Sequence, residues 1–203
     1  MICKEQIIFI MKIINKYLKK QEKILEAAKS LFLSQGYRTT SMDEVAEKAG
    51  VTKQTVYRYF PSKEELFKAM LNMISPVERK HAFGDGDVRD ELILFADKFV
   101  TQHLSDERLG IFRLMITEGD KAGGIGEVFF NIGPQIRHKN LSDYFEKKLI
   151  TDNPEKDARI FMSMLLYFRV GILIGVSPMP GKEWIDSHCA YVTDLFLSGR
   201  RLL

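Results

Sequence analysis

Between Gly36 and Pro61 the chain has room only for short helices, and that limit shapes the segments on either side. Ser41 opens S-M-D-E, a capping box in which the serine hydroxyl and the Glu44 carboxylate each satisfy one end of the helix start. Val45, Ala46 and Ala49 form a narrow apolar face, and Gly50 is a natural stop. Thr52 can cap a second short helix, which Pro61 cannot continue. Two short helices joined by a tight glycine-bearing turn make a helix-turn-helix pattern. Such a pair cannot bury itself, so the flanking helices must supply its core.

The flanks meet that demand. Gln21–Gln35 places Ile24, Leu25, Ala28, Leu31 and Phe32 on one helical face. Ser62 starts a further capping box, and the helix beyond it carries Leu66, Phe67, Met70, Leu71 and Ile74 up to Ser75-Pro76. His81–Asp87, rich in glycine and aspartate, reads as a hinge. Beyond it, helices are expected at about 88–104, 107–118, 125–150 with a break near Gly133-Pro134, 156–176 and 183–198. No long run alternates with period two, so no sheet is expected. The reading is an all-α chain with four parts: an N-terminal extension over 1–19, a helix-turn-helix domain over 20–66, a connecting helix and hinge over 67–86, and a helical domain over 87–203.

Charge separates the halves. Residues 1–83 hold 15 Lys and Arg against 9 Asp and Glu, while residues 84–203 hold 15 against 18. A basic head on a mildly acidic body suits a polyanionic partner. No stretch has the roughly 18 uncharged apolar residues of a membrane helix, so no membrane partner is expected. The N-terminal segment lacks a small-residue cleavage site and does not read as a secretory signal, and Met11 offers an alternative start. Cys3 and Cys189 make neither a disulfide framework nor a metal-ligand spacing, which fits a reducing cytoplasm. No nucleophile–base pair or paired carboxylates stand out, and G123-G-I-G126 is too short for a nucleotide loop. No catalytic group, metal or cofactor is expected.

The stretch V51-T-K-Q-T-V-Y-R-Y-F60 gathers hydroxyls, cations and rings on one short element. A helix in the major groove reads bases mainly with its N-terminal residues, here Lys53, Gln54 and Thr55 after the cap Thr52. Tyr57 and Arg58 come one turn later and suit phosphates, as do Thr40, Ser41 and Lys63 at the starts of flanking helices. Val56, Tyr59 and Phe60 face the scaffold. The run from Gly36 to Leu66 resembles the N-terminal domain of TetR-family transcriptional regulators in its spacing and in both alanines, Gly50, Tyr57, Phe60 and Lys63. The resemblance implies an all-helical homodimer on a double-stranded DNA operator and a second domain that binds a small molecule. By position it gives Thr40, Ser41, Lys53, Gln54, Thr55, Tyr57, Arg58 and Lys63 the DNA-contact role.

The second domain resembles, more loosely, the regulatory domain of AcrR-type multidrug-efflux regulators, through R113-L-M-I-T-E118, Pro134, Tyr144-Phe145 and D157-A-R-I-F-M162. Phe99, His103, Phe112, Met115, Phe129, Phe130, Met162, Met164 and Phe168 are candidate walls for a small hydrophobic effector. His103, Arg113, Glu118 and His138 are polar groups able to orient one. The near-continuous apolar run 161–176 and the stripe along 184–197 are expected to pair in a four-helix dimer interface, through Phe161, Leu165, Ile172, Ile185, Cys189, Val192 and Phe196. The function expected is a sequence-specific regulator, a repressor released from a palindromic operator by its effector. The competing expectation is an architectural or cell-division DNA-binding protein with no ligand.

Overall fold

The computed structural model describes residues 4–74, 81–121, 123–198 and 201–202. They form two compact units, Met1–Ile74 with Leu114–Val128, and Ser75–Arg113 with Phe129–Leu203. Cys3 and residues 75–80, part of the expected connecting segment, lie outside the described residues.

The first unit begins with α1 (Lys4–Gln35), followed by α2 (Met42–Ala49), α3 (Lys53–Tyr59) and α4 (Lys63–Ile74). The extension set apart over 1–19 is therefore not separate where it is described, because α1 runs unbroken from Lys4 through it. The fully buried Ile24, Ala28 and Phe32 of α1 serve the core with Val45, Val56, Leu66, Phe67 and Met70. Phe32, Tyr37 and Phe67 meet as a ring trio with centroids 5.2–5.6 Å apart, the pairs with Phe67 edge to face. Ser41 forms the complete capping box with Glu44. Gly50 closes α2 at φ 66°, a left-handed conformation that glycine adopts without strain.

In the second unit lie α5 (Val88–His103), most of α6 (Asp106–Glu118), part of α7 (Ile125–Ile132), then α8 (Pro134–Lys148), α9 (Pro154–Leu166), α10 (Arg169–Leu173) and α11 (Lys182–Ser198). The break near Gly133-Pro134 separates α7 from α8. The helix expected over 156–176 is two helices, divided at Tyr167 and Phe168. One two-residue antiparallel pairing, β1 (Leu149–Ile150) with β2 (Arg201–Leu202), departs from the expectation of no sheet. Two residues are too few to show a period. The expected hinge His81–Asp87 is pinned to this unit. Phe83 stacks on Tyr144 at 4.0 Å, and the His81 amide donates to Asn140 Oδ1 at 2.9 Å.

The expected dimer residues are the core of this unit. Phe161, Leu165, Ile172, Ile185, Cys189, Val192 and Phe196 are all buried within one chain. The Phe161 and Phe196 rings are 4.8 Å apart, and Phe145 stacks on Phe196 at 5.1 Å. His188 Nε2 donates to the Leu165 carbonyl at 3.1 Å, and Arg89 grips Asp194 with two hydrogen bonds. The apolar residues that face outward are others: Ile160, Tyr167, Val170 and Ile174, with Trp184, Tyr191 and Leu195 on α11. Periodicity marks an apolar stripe but does not say which of two stripes stays inside. Truncating Phe196 to alanine should cost about 3–5 kcal/mol of unfolding stability, read by chemical denaturation. A loss confined to self-association, with the fold equally stable, would restore Phe196 to an interface.

Candidate nucleic-acid interface

Helix α3 starts at its cap, where Thr52 Oγ1 accepts from the Thr55 amide at 3.2 Å. Val56 and Phe60 are buried beneath it, whereas Lys53, Gln54, Tyr57 and Arg58 are exposed. These four side chains form the outward face. Lys53 Nζ pairs with Asp43 at 2.8 Å across to α2 and lies 6.0 Å from the Tyr57 ring centre. Both partners of that pair are solvated, so the link is weak and a phosphate can compete for the lysine. The Arg58 guanidinium lies 5.5 Å from the Tyr59 ring centre. Tyr59, expected to face the core, is half-buried and packs on Tyr17 of α1 with centroids 4.4 Å apart. Thr55, also half-buried, hydrogen-bonds to the Thr52 hydroxyl at 2.9 Å.

The other three candidate DNA contacts also make bonds within the scaffold. Thr40 is 1% exposed, and its hydroxyl donates to the Gly36 carbonyl at 2.7 Å. Ser41 spends both its amide and its hydroxyl on Glu44 Oε2, at 2.7 and 2.8 Å, and these bonds hold that carboxylate below its ordinary range. Lys63 donates to three carbonyls, Tyr37 at 3.0 Å, Arg38 at 3.3 Å and Thr40 at 3.0 Å. An ammonium has three donors, so this set uses all of them. It also sits 4.6 Å from the Tyr37 ring centre, and burial pulls its pKa down. The sequence placed Lys63 at a helix start. It did not show that the long side chain turns back onto the α1–α2 turn.

That turn has a second anchor in the same unit. Glu118, at the end of α6, accepts from the Arg38 amide at 2.8 Å. Gly36, at φ 95°, lies so close that a Cβ there would run into the Glu118 carboxylate. A basic row on α1 was missed by the sequence reading. Lys12, Lys16, Lys19, Lys20 and Lys23 line one groove, and Lys19 and Lys23 line another with Lys48. Their spacing of three and four is visible in the sequence, but Lys12, Lys16 and Lys19 fall in the stretch read as an extension.

A cavity of about 330 Å³ lies in the second unit. Five of the expected wall residues line it, namely Phe99, His103, Phe112, Phe129 and Met162, together with Pro134 and Leu166. Its polar lining is Arg137, His138, Ser163 and Arg169. The other four candidates do not line it. Met115 belongs to the first unit, Phe130 is exposed, and Met164 and Phe168 pack against the core cluster. Of the polar candidates, Arg113 reaches the Leu173 carbonyl at 3.4 Å and Glu118 holds the Arg38 amide. His103 Nδ1 donates to the Phe99 carbonyl at 2.7 Å, and burial drives its pKa well down, helped by Arg137.

A short capped helix with an outward polar and aromatic face, set on a glycine turn in a small helical unit, defines a helix-turn-helix DNA-binding protein. The comparisons narrow this. Residues 24–70 match the model of bacterial regulatory proteins of the tetR family, and residues 90–199 match that of the C-terminal domain of AefR-like transcriptional repressors. The chain belongs to the TetR family of transcriptional regulators. Its second domain falls with the AefR-like repressors, where the sequence had pointed to the AcrR type. An uncharacterized HTH-type transcriptional regulator of Bacillus subtilis, YvkB, is 30% identical over 193 residues, 88% of this chain and 95% of its own. The HTH-type transcriptional activator FasR of Mycolicibacterium smegmatis is 38% identical over 65 residues, 30% of each chain. Among solved structures, the flavonoid-responsive regulator FrrA superposes with a TM-score of 0.76 at 26% identity, covering 90% of this chain and 97% of its own.

Replacing Lys63 with methionine should lower unfolding stability by about 1–3 kcal/mol, since three carbonyls lose their donor. The salt slope of DNA binding should stay unchanged in that variant, whereas Arg58→Gln should reduce the slope by about one. Anisotropy titrations at several salt concentrations, beside denaturant melts, separate the two. A reduced salt slope for Lys63→Met at full stability would return Lys63 to the phosphate contacts.

Proposed function

We propose that this TetR-family regulator is a homodimeric repressor that a small molecule releases from a palindromic operator. The observation that carries the reading is the course of α6. Phe112 of this helix lines the cavity, and Glu118, further along the same helix, holds the Arg38 amide and crowds Gly36. In this reading a cavity ligand acts on the turn that precedes α2 through α6, which carries both residues. A ligand shifts the equilibrium only if it binds the DNA-free arrangement better, so the cavity must differ between the two states. A cavity of about 330 Å³ favours the ligand-controlled reading over an architectural DNA binder.

Support comes from the match to AefR-like transcriptional repressors and from FrrA, a regulator responsive to flavonoids. The outward residues Ile160, Tyr167, Ile174, Trp184, Tyr191 and Leu195 offer an apolar surface for the second subunit. On the operator, Gln54 and Lys53 read bases, while Tyr57 and Arg58 contact phosphates. The cytoplasm, where the chromosome is, is the compartment this reading requires.

Selection from a random duplex library, followed by anisotropy with excess random competitor, tests the reading. A palindrome that binds two chains, or a multiple of two, and resists competitor is the expected result. Binding that random DNA competes away equally for every sequence would replace the repressor with an architectural protein. Glu118→Gln should leave ligand affinity for the cavity intact and shrink the ligand-induced loss of operator affinity, an effect commonly about 5–150-fold in coupled sites.

A further inference from the structure

We infer that the ligand of the second-unit cavity is an organic anion, with an apolar aromatic or acyl body and a carboxylate or similar group that docks on Arg169. The inference rests on reading that cavity as an effector site and adds the charge of what fills it.

The lining holds two arginines and two histidines and not one Asp or Glu. Arg169, the first residue of α10, sets its guanidinium 3.6 Å from the centre of the Phe112 ring. Its Nε is buried with no hydrogen-bond partner, and among the described residues Arg169 forms no ion pair. A ring face steadies a cation but does not replace an acceptor for each N–H. Leaving a buried donor without a partner is costly, and such groups call for a specific cause. Burial lowers the Arg169 pKa to about 10, so the group stays cationic at neutral pH. A carboxylate entering beside Phe112 supplies the missing acceptor in the planar geometry that a guanidinium fits best. A neutral hydrophobe would instead leave Arg169 more deeply buried and still unsatisfied.

The histidines agree. His103 and His138 both have lowered pKa values, first from burial and then in part from neighbouring arginines, among them Arg137 in each case. Arginines flank both rings, and that positive surrounding disfavours a cationic ligand. His103 uses Nδ1–H on the Phe99 carbonyl, which leaves Nε2 as a neutral acceptor. A ligand hydroxyl suits that position. Phe99, Phe129, Met162 and Leu166 supply the apolar walls, so the complementary molecule is amphipathic.

Two matched sets of probes test this by isothermal calorimetry on the full chain. One is 2-naphthoate, 2-naphthalenemethanol and 2-naphthylmethylammonium. The other is octanoate, octanol and octylammonium. In at least one set the acid should bind about tenfold or more tighter than the alcohol, and the ammonium should be weakest. Arg169→Met should bring acid and alcohol to the same affinity, and Arg169→Lys should keep part of the difference; a circular dichroism melt checks both folds. The comparison within the wild type stands even if a variant fails to fold. Alcohols binding as well as acids, or ammonium ions binding best, would overturn the anion inference and leave the cavity as an effector site. Binding of none of the six would overturn both.

Discussion

The ammonium of Lys63 collects the carbonyls of Tyr37, Arg38 and Thr40, and the geometry of the DNA-binding head depends on that convergence. Residues 36–41 carry the chain from α1 into α2, and left alone they would have three backbone acceptors and no regular structure to use them. One cation from the start of α4 satisfies them together and ties the turn to the far side of the unit. The Tyr37 ring lies against the same ammonium and joins Phe32 and Phe67 in the core. The Thr40 hydroxyl and the Ser41–Glu44 box then fix where α2 begins. Gly50 fixes the turn that hands the chain on to α3. The recognition face is thus the end of a series of satisfied polar groups, each placing the next.

Glu118 meets this series at the Arg38 amide. A carboxylate close to a half-buried lysine and a crowded glycine is a sensitive place to apply a displacement, because close packing leaves little room for gradual adjustment. The same helix passes Phe112 to the cavity and, through it, the Arg169 guanidinium. In the reading proposed above, Phe112 would meet the ligand and Glu118 the turn before α2, on one helix. The proposed control would rest on a difference in ligand affinity between two arrangements.

Local rules made the head readable from sequence. Capping boxes, a left-handed glycine and a proline stop act over a few residues, and Ser41, Gly50, Thr52 and Pro61 each specify their own neighbourhood. The same rules did not show that Thr40 and Lys63 turn inward, since a long lysine side chain can reach either solvent or a turn some 25 residues away in sequence. In the second unit, helix positions followed from periodicity, but α9 and α11 each carry two apolar stripes. Phe161 and Phe196 lie on the inner one, and Ile160 and Tyr191 on the outer. Arg169 read as an interruption in an apolar helix. Its significance appears only when Phe112, from another helix, is seen beneath it.

Amide hydrogen exchange across residues 36–41 and 53–59, compared between the wild type and Lys63→Met, tests most directly whether Lys63 organises the head. If the ammonium holds the turn that places α2 and α3, exchange should quicken in both segments of the variant, with the Arg38 amide among the most affected. Faster exchange confined to 36–41, with the recognition helix as protected as in the wild type, would contradict that dependence and make Lys63 a local fastening only.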